Sequence, residues 1–256
     1  MIARVEAIAR AAGEVLRAHF GKIDARTIGR KSSSRDLVTE ADRASERRIV
    51  ADLRGAFPGE AIRGEEEVRE EGKGGPLWHV DPLDGTINFV HGVPVFGVSI
   101  ARYVEGKPHL AVVYNPVLEE MFAAEAGKGA TLNGAPIRVS REETLADALL
   151  VTGFPYRRGE LANNNLDNFV RFFFEARGIR RIGAASVDLA WVAAGRFDGF
   201  WELHLEPHDV AAGALLVREA GGKVTDFDGG ENWLEGANVV ATNGRLHEAV
   251  RRRVRA

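Results

Sequence analysis

Cysteine is absent from the 256-residue chain. That excludes disulfides, thiolate metal sites and thiol nucleophiles, and it agrees with a reducing cytoplasm. Charge of one sign is also lacking: 34 Lys and Arg stand against 37 Asp and Glu, for a formal net charge of -3. No global basic field points to nucleic acid, and no acidic excess points to disorder, so partners have to be argued from local sites. Long apolar runs are missing as well, each being broken by Gly, Pro or charge, which leaves no membrane span. The N-terminal stretch MIARVEAIARAAGEVL is amphipathic and lacks the basic head and apolar core of a secretion signal. Internal repeats and low-complexity linkers are not seen. What is present is 45% hydrophobic content, ample for the core of one large domain or two modest ones.

Apolar Val5, Ile8, Ala12, Val15, Leu16 and Phe20 form a helical stripe that Gly21 ends. The polar loop GRKSSSRD leads to Leu37 and Val38. Thr39 and Asp42 then resemble a capping box, opening a helix that runs through Val50 and Leu53 towards Phe57 and stops before Pro58-Gly59. Lys31 and Asp36 thus lie on the approach to a helix. From residue 77 the period changes to two, in LWHVD, VFGVSIARYV, HLAVVYN and EMFAAEAG, which predicts successive antiparallel strands. A boundary near residues 138 to 142 divides the chain into an N-terminal α+β part, 1–139, and a C-terminal α/β part, 140–256, packed closely together. In the second part the pattern predicts a helix from Ser186 to Ala194, a strand from Phe197 to Leu203 and a helix from Val210 to Ala220, with Asp209 at that helix's start.

The stretch VDPLDGTINF sets Asp81 and Asp84 three apart at a turn where like charges repel. WHV reads as a strand that Asp81 ends and Pro82 breaks, and Gly85-Thr86 as the opening of a helical turn with free N–H groups. Two such carboxylates can converge on one hard divalent cation, and the N–H groups suit a phosphate oxygen. A DG dipeptide in an ordinary turn uses the same residues for backbone reasons. The run GEEEVREEG, 64 to 72, alone reads as solvated charge; its place just before the Asp81 strand lets Glu65 lie beside the aspartates. Asp209 alone reads as an N-cap, and Lys31, Ser32 and Ser33 as a polar loop.

Other chemistries find little support. The alternating EF-hand pattern is absent, and Gly92 stands where its closing Glu should be. His204 and His208 are four apart, but Pro207 between them keeps the imidazoles off one regular helix face, which weakens a zinc reading. Walker, dinucleotide and serine-hydrolase motifs are missing. Carboxylates and a metal are what is left.

Taken together, KSSSRDLVTEAD, GEEE, DPLDGTINFVHGVP and HDVAAGALLVREAGG, supported by AGKGATLNG and RRIGAASVDLAWVAAGRFDGFWE, resemble the inositol monophosphatase family of magnesium-dependent, lithium-sensitive sugar phosphatases. The resemblance spans nearly the whole chain. It implies an α+β fold, a layered αβαβα sandwich, a homodimer and metals held between the two halves. It further implies two or three Mg2+ ions held by Glu65, Asp81, the Leu83 carbonyl, Asp84 and Asp209, with Asp81 bridging. Thr86 would orient the attacking water with help from Asp36, Glu65 acting in the same catalytic set. Gly85 and Thr86 N–H groups would hold phosphate, Ala185, Glu202 and Asp209 would meet the substrate, and Lys31 and Thr39 would fall in a mobile loop. The chain departs from the family at His208, where a bulky aromatic such as Trp usually precedes the metal-binding aspartate.

The expected activity is hydrolysis of myo-inositol 1-phosphate or a related sugar phosphate. Fructose 1,6-bisphosphate, histidinol phosphate and adenosine 3',5'-bisphosphate are alternatives within the class. A partner-binding regulatory role on the same fold is a second reading, and a simple divalent-cation buffer a third.

Overall fold

The structure is a computed structural model that describes residues 1–22, 28–33, 36–71 and 74–256. Ser34 and Arg35 of the polar loop and Gly72 of the acidic run lie outside the described residues. Helix α1 (Ile2–His19) buries Val5, Ile8, Ala12 and Leu16, with Val15 half-buried at the edge of the stripe. The hairpin β1 (Gly29–Arg30) and β2 (Leu37–Val38) carries the polar loop. Helix α2 (Glu40–Ala56) follows at once because Thr39 caps it: the Ala41 N–H donates to Thr39 Oγ1 at 3.1 Å and the Thr39 N–H to Asp42 Oδ2 at 2.8 Å.

The expected strand run forms one seven-stranded sheet in chain order: β3 (Ala61–Gly64), β4 (Leu77–Asp84), β5 (Gly97–Val104), β6 (Lys107–Asn115), β7 (Glu120–Glu125), β8 (Ala130–Leu132) and β9 (Ala135–Ile137). Its pairs are antiparallel except β3 with β4, which is parallel. Pro82 does not break β4. Asp81 pairs with Ser99 and Asp84 with Gly97, so Pro82 and Leu83 together stand opposite the single residue Val98. At such a bulge proline's missing N–H leaves no gap in the ladder, and the extra residue re-aims the aspartates on either side. The short helix α3 (Thr86–Val90) begins directly after it.

A five-stranded sheet lies in the order β11-β10-β12-β14-β13. The second half runs through β10 (Leu149–Thr152), α4 (Leu166–Phe173), β11 (Gly178–Arg180), α5 (Ala185–Ala193), β12 (Gly199–Leu203), α6 (Pro207–Glu219), β13 (Lys223–Thr225), β14 (Asn238–Thr242) and α7 (His247–Arg251). Helix α6 starts three residues earlier than the sequence suggests, because Pro207 is pre-set for the first helical turn. Asp209 is therefore inside the first turn, and its carboxylate accepts the Glu206 N–H at 2.7 Å.

Three apolar clusters stack these elements into an α+β sandwich. Trp78, Val80, Ile100 and Val112 face α1 and α2; Ala101, Val113 and Phe122 on the other face pack with α5 and α6, which also cover Val151, Phe200 and Val239; Phe172, Leu246 and Val250 close the far side against Trp201. Strand alternation does the sorting. Trp78 and Val80 point to the outer helices, whereas His79 meets Tyr103 edge-on on the α5–α6 side, and Asp81, two residues on, shares that side.

Candidate metal centre

Three separate segments deliver the four acidic side chains. Glu65 follows β3, and its turn is pinned from below by buried Glu46 of α2, which accepts the N–H groups of Glu66 at 2.9 Å and Glu67 at 2.7 Å. Asp81 and Asp84 flank the bulge of β4, and Asp209 comes from the first turn of α6. Asp84 is clamped by the start of α5: the Ser186 N–H donates at 2.7 Å, the Ser186 hydroxyl at 2.5 Å and the Ala185 N–H at 3.2 Å. Asp81 accepts the Leu83 N–H at 3.0 Å. Gly85 turns the chain between bulge and helix with φ of 90°, a left-handed conformation that glycine adopts without strain.

The electrostatics are unfavourable to the protein by itself. Burial, then the charges of Glu65, Asp84 and Asp209, drive the Asp81 carboxyl well above its ordinary value. Burial pushes Asp84 up to about 7, with the Asp209 charge adding to it against the pull of Ser186. Asp209 is raised mainly by burial, and Glu65 adds to the shift. Burial works the same way on Glu65, but His208 and Lys31 outweigh it and hold that carboxyl below its usual value. Lys31 Nζ reaches Glu65 at 2.6 Å and Glu66 at 2.5 Å. Hard oxygen donors gathered against their mutual repulsion suit a divalent cation bound by oxygen, and this donor set fits Mg2+. One nitrogen of His208 and one oxygen each of Glu65 and Asp81 lie within 4.8 Å of one another.

All four carboxylates open on a cavity of about 800 Å³, together with Lys31, Leu83, Gly85, Thr86 and His208. Thr86 Oγ1 donates to Asp42 Oδ1 at 3.0 Å and lies 3.2 Å from the Leu83 carbonyl oxygen. Burial pushes Asp42 up to about 6 despite its hydrogen bonds from Thr39.

Several expectations change here. Asp36 lines the cavity but accepts from the Ser32 N–H at 3.0 Å and hydroxyl at 2.6 Å; the carboxylate on Thr86 is Asp42. The sequence gives no local signal for this, since T-x-x-D is fully explained as a cap and Thr86 lies 44 residues away. Thr39 belongs to that cap and is buried, not part of an open loop. Ala185 and Glu202 do not line the cavity among the described residues. Ala185 holds Asp84 through its N–H, and Glu202 is buried over Gly153, where an added Cβ would come within 2.2 Å of its carboxylate. Burial and then the Asp209 charge push Glu202 up to about 8, with Arg181 pulling the other way. His204 lines the same cavity as His208, and its Nε2 lies 3.0 Å from the Asn163 carbonyl oxygen.

A layered α+β sandwich with a carboxylate centre where β4, α5 and α6 meet defines a class of metal-dependent proteins. Within it, the chain belongs to the inositol monophosphatase family, whose profile it matches over residues 1–256. The family is metal dependent, and the acidic cluster suits a metal. The chain is 50% identical over 249 residues to the Nus factor SuhB of Pseudomonas aeruginosa, covering 94% of this chain and 91% of that protein. It is 44% identical over 241 residues to the inositol-1-monophosphatase of Rhizobium meliloti, covering 94% and 90%. The crystal structure of the extragenic suppressor protein suhB from Bartonella henselae superposes with a TM-score of 0.92 at 40% identity, covering 98% of this chain and 96% of that one.

Proposed function

We propose that the protein is a Mg2+-dependent phosphomonoesterase that hydrolyses myo-inositol 1-phosphate, or a related sugar phosphate, to the alcohol and inorganic phosphate. The observation that carries this reading is the convergence of Glu65, Asp81, Asp84 and Asp209 on one cavity, where burial and their like charges raise the carboxyls of Asp81, Asp84 and Asp209 above their ordinary values. These four and the Leu83 carbonyl are the proposed ligands of two or three ions. When bound, the ions would neutralise the phosphoryl oxygens, acidify a water and stabilise the leaving oxygen.

The chain's own residues supply orientation. Because Thr86 gives its hydroxyl hydrogen to Asp42, its lone pairs are free to accept from a water, and Asp42 is the proton's next station. Glu65, which lines the same cavity and is paired with Lys31, is proposed to act on the same water. Gly85 and Thr86 N–H groups at the bulge would steady the phosphate. Lys31 adds a cation at the cavity mouth. Asp209, which lines the cavity, is proposed to meet the alcohol side of the substrate.

The test is inorganic phosphate release from myo-inositol 1-phosphate, fructose 1,6-bisphosphate, histidinol phosphate and adenosine 3',5'-bisphosphate, each with magnesium, with and without lithium. The expected outcome is fastest release from myo-inositol 1-phosphate, inhibited by lithium. Absence of release from every ester at saturating magnesium would overturn the reading.

A second reading is favoured by the name Nus factor SuhB, borne by the relatives from Pseudomonas aeruginosa and, at 43% identity, Escherichia coli. On that reading the fold also serves a macromolecular partner, and a nucleic-acid assembly returns to the candidates. Leu166, Val170, Phe173 and Phe174 give α4 and its end an exposed apolar strip, which supports a covering partner; we take a homodimer first. Sedimentation tests it. No described helix is long and apolar enough to cross a membrane, and a cytoplasmic location is proposed on the lack of cysteine.

A further inference from the structure

His208 stands immediately before Asp209, at the start of α6. His208 is the second residue of α6, anchored by its carbonyl, which accepts the Ser99 hydroxyl at 3.3 Å from β5. Its side chain is only 14% exposed and lines the cavity of the carboxylates. Nε2 stands 3.7 Å from Asp209 Oδ1, beyond hydrogen-bond length. A ring nitrogen, a Glu65 oxygen and an Asp81 oxygen fall within 4.8 Å of one another.

We propose that His208 is itself a ligand of the centre, and that its nitrogen lets the site hold a borderline transition ion, Mn2+, Co2+ or Zn2+, as well as Mg2+. Two donors on opposite sides of an ion with bonds near 2.1 Å are about 4.2 Å apart, so the observed spacing needs only a small contraction to close on one ion. A bound cation would offset the repulsion between Glu65 and Asp81 that such a contraction increases. The donor type then decides the ion. Mg2+ holds to oxygen and keeps its waters, whereas imidazole suits the later first-row ions, whose affinity for mixed N/O sites rises along the series. With an aromatic carbon ring at this position the site would offer oxygen alone. Packing beneath the helix start explains neither the ring's place among carboxylate oxygens nor its exposure to the cavity.

The inference rests on the proposed metal-dependent function, and its test separates the two. Metal-free protein and the His208→Phe variant are titrated calorimetrically with Mg2+, Mn2+ and Zn2+ in turn, and the Mn2+ complexes are then examined by pulsed electron paramagnetic resonance for a coordinated nitrogen. Wild type is expected to show the nitrogen coupling and the variant to lack it. The variant should also lose at least ~10-fold in affinity for Mn2+ and Zn2+ and much less for Mg2+. If Mg2+ and Mn2+ bind, and phosphate is released, but the wild-type spectrum shows no nitrogen coupling, His208 is not a ligand while the phosphatase reading stands; this result does not depend on the variant folding. If affinities for all three ions fall equally in the variant, His208 acts only as packing. If no divalent ion binds wild type at all, both readings fall.

Discussion

Two sets of buried carboxylates show what the fold supplies for itself and what it leaves to something else. Asp198 is satisfied on both oxygens, by the Ser140 hydroxyl at 2.5 Å and the Leu149 N–H at 2.6 Å, and Glu46 by the N–H groups of Glu66 and Glu67. Each charge is matched by protein donors, as a buried carboxylate requires. Asp81 has one N–H from Leu83, and its other neighbours are the carboxylates of Glu65, Asp84 and Asp209. The same functional group is structural in the first setting. In the second, on the proposed function, it is kept for a cation from solution.

The sharpest way to break this comparison is to neutralise one member of the second set. Asp84→Asn should cut phosphate release by roughly a thousandfold while leaving the circular dichroism spectrum unchanged, because about 4 kcal/mol of transition-state stabilisation depends on the ion it would help hold. Near wild-type turnover at saturating magnesium would show that the centre is misplaced. Next in size is the choice between two aspartates near Thr86. Asp42→Asn should lower kcat by about 10²-fold, the usual scale for a positioned proton acceptor. Asp36→Asn, whose carboxylate meets only Ser32 among the described contacts, should leave kcat close to wild type. Equal losses would return Asp36 to the site.

Acting on the first set should do the opposite. Asp198→Ala leaves the Leu149 N–H and the Ser140 hydroxyl without their partner, and should lower unfolding stability by about 2–3 kcal/mol in urea while kcat of the folded enzyme holds. A stable variant with lost activity would contradict the division. The smallest effect concerns His247, buried between Thr225 Oγ1 at 2.9 Å and Thr242 Oγ1 at 3.2 Å. Burial, then the Lys223 charge, push its pKa down to about 4 from 6.5. The unfolded chain therefore binds more protons between these values, so the stability is complete above pH 6.5 and is lost as pH falls towards 4. Substituting His247→Gln should flatten that slope, by an amount on the order of 1 kcal/mol after discounting for solvent screening. An unchanged slope would mean that the acid sensitivity arises elsewhere.

Much of the fold was legible because local physics decided it. The α1 stripe, the Thr39–Asp42 cap and the period-two strands of 77–125 each carry their signal within a few residues. Pro82 misleads for the same reason: read locally it ends a strand, and only its neighbour β5 makes room for a bulge. The four carboxylates could be picked from motif context, but not their partners. Glu46 has no sequence feature that links it to Glu66, and Asp42 is hidden behind its role in the cap.

By itself, the sequence determined the types of element, the carboxylate chemistry and the resemblance that pointed to the family, since periodicity, capping and motif residues act over short separations. Tertiary structure alone decided which aspartate meets Thr86, that Glu202 sits behind the cavity wall and that His208 turns into it. The reason is that charge repulsion and hydrogen bonding act through space: strand β4, the GEEE turn and the start of α6 have to be packed together before their side chains exert any force on one another.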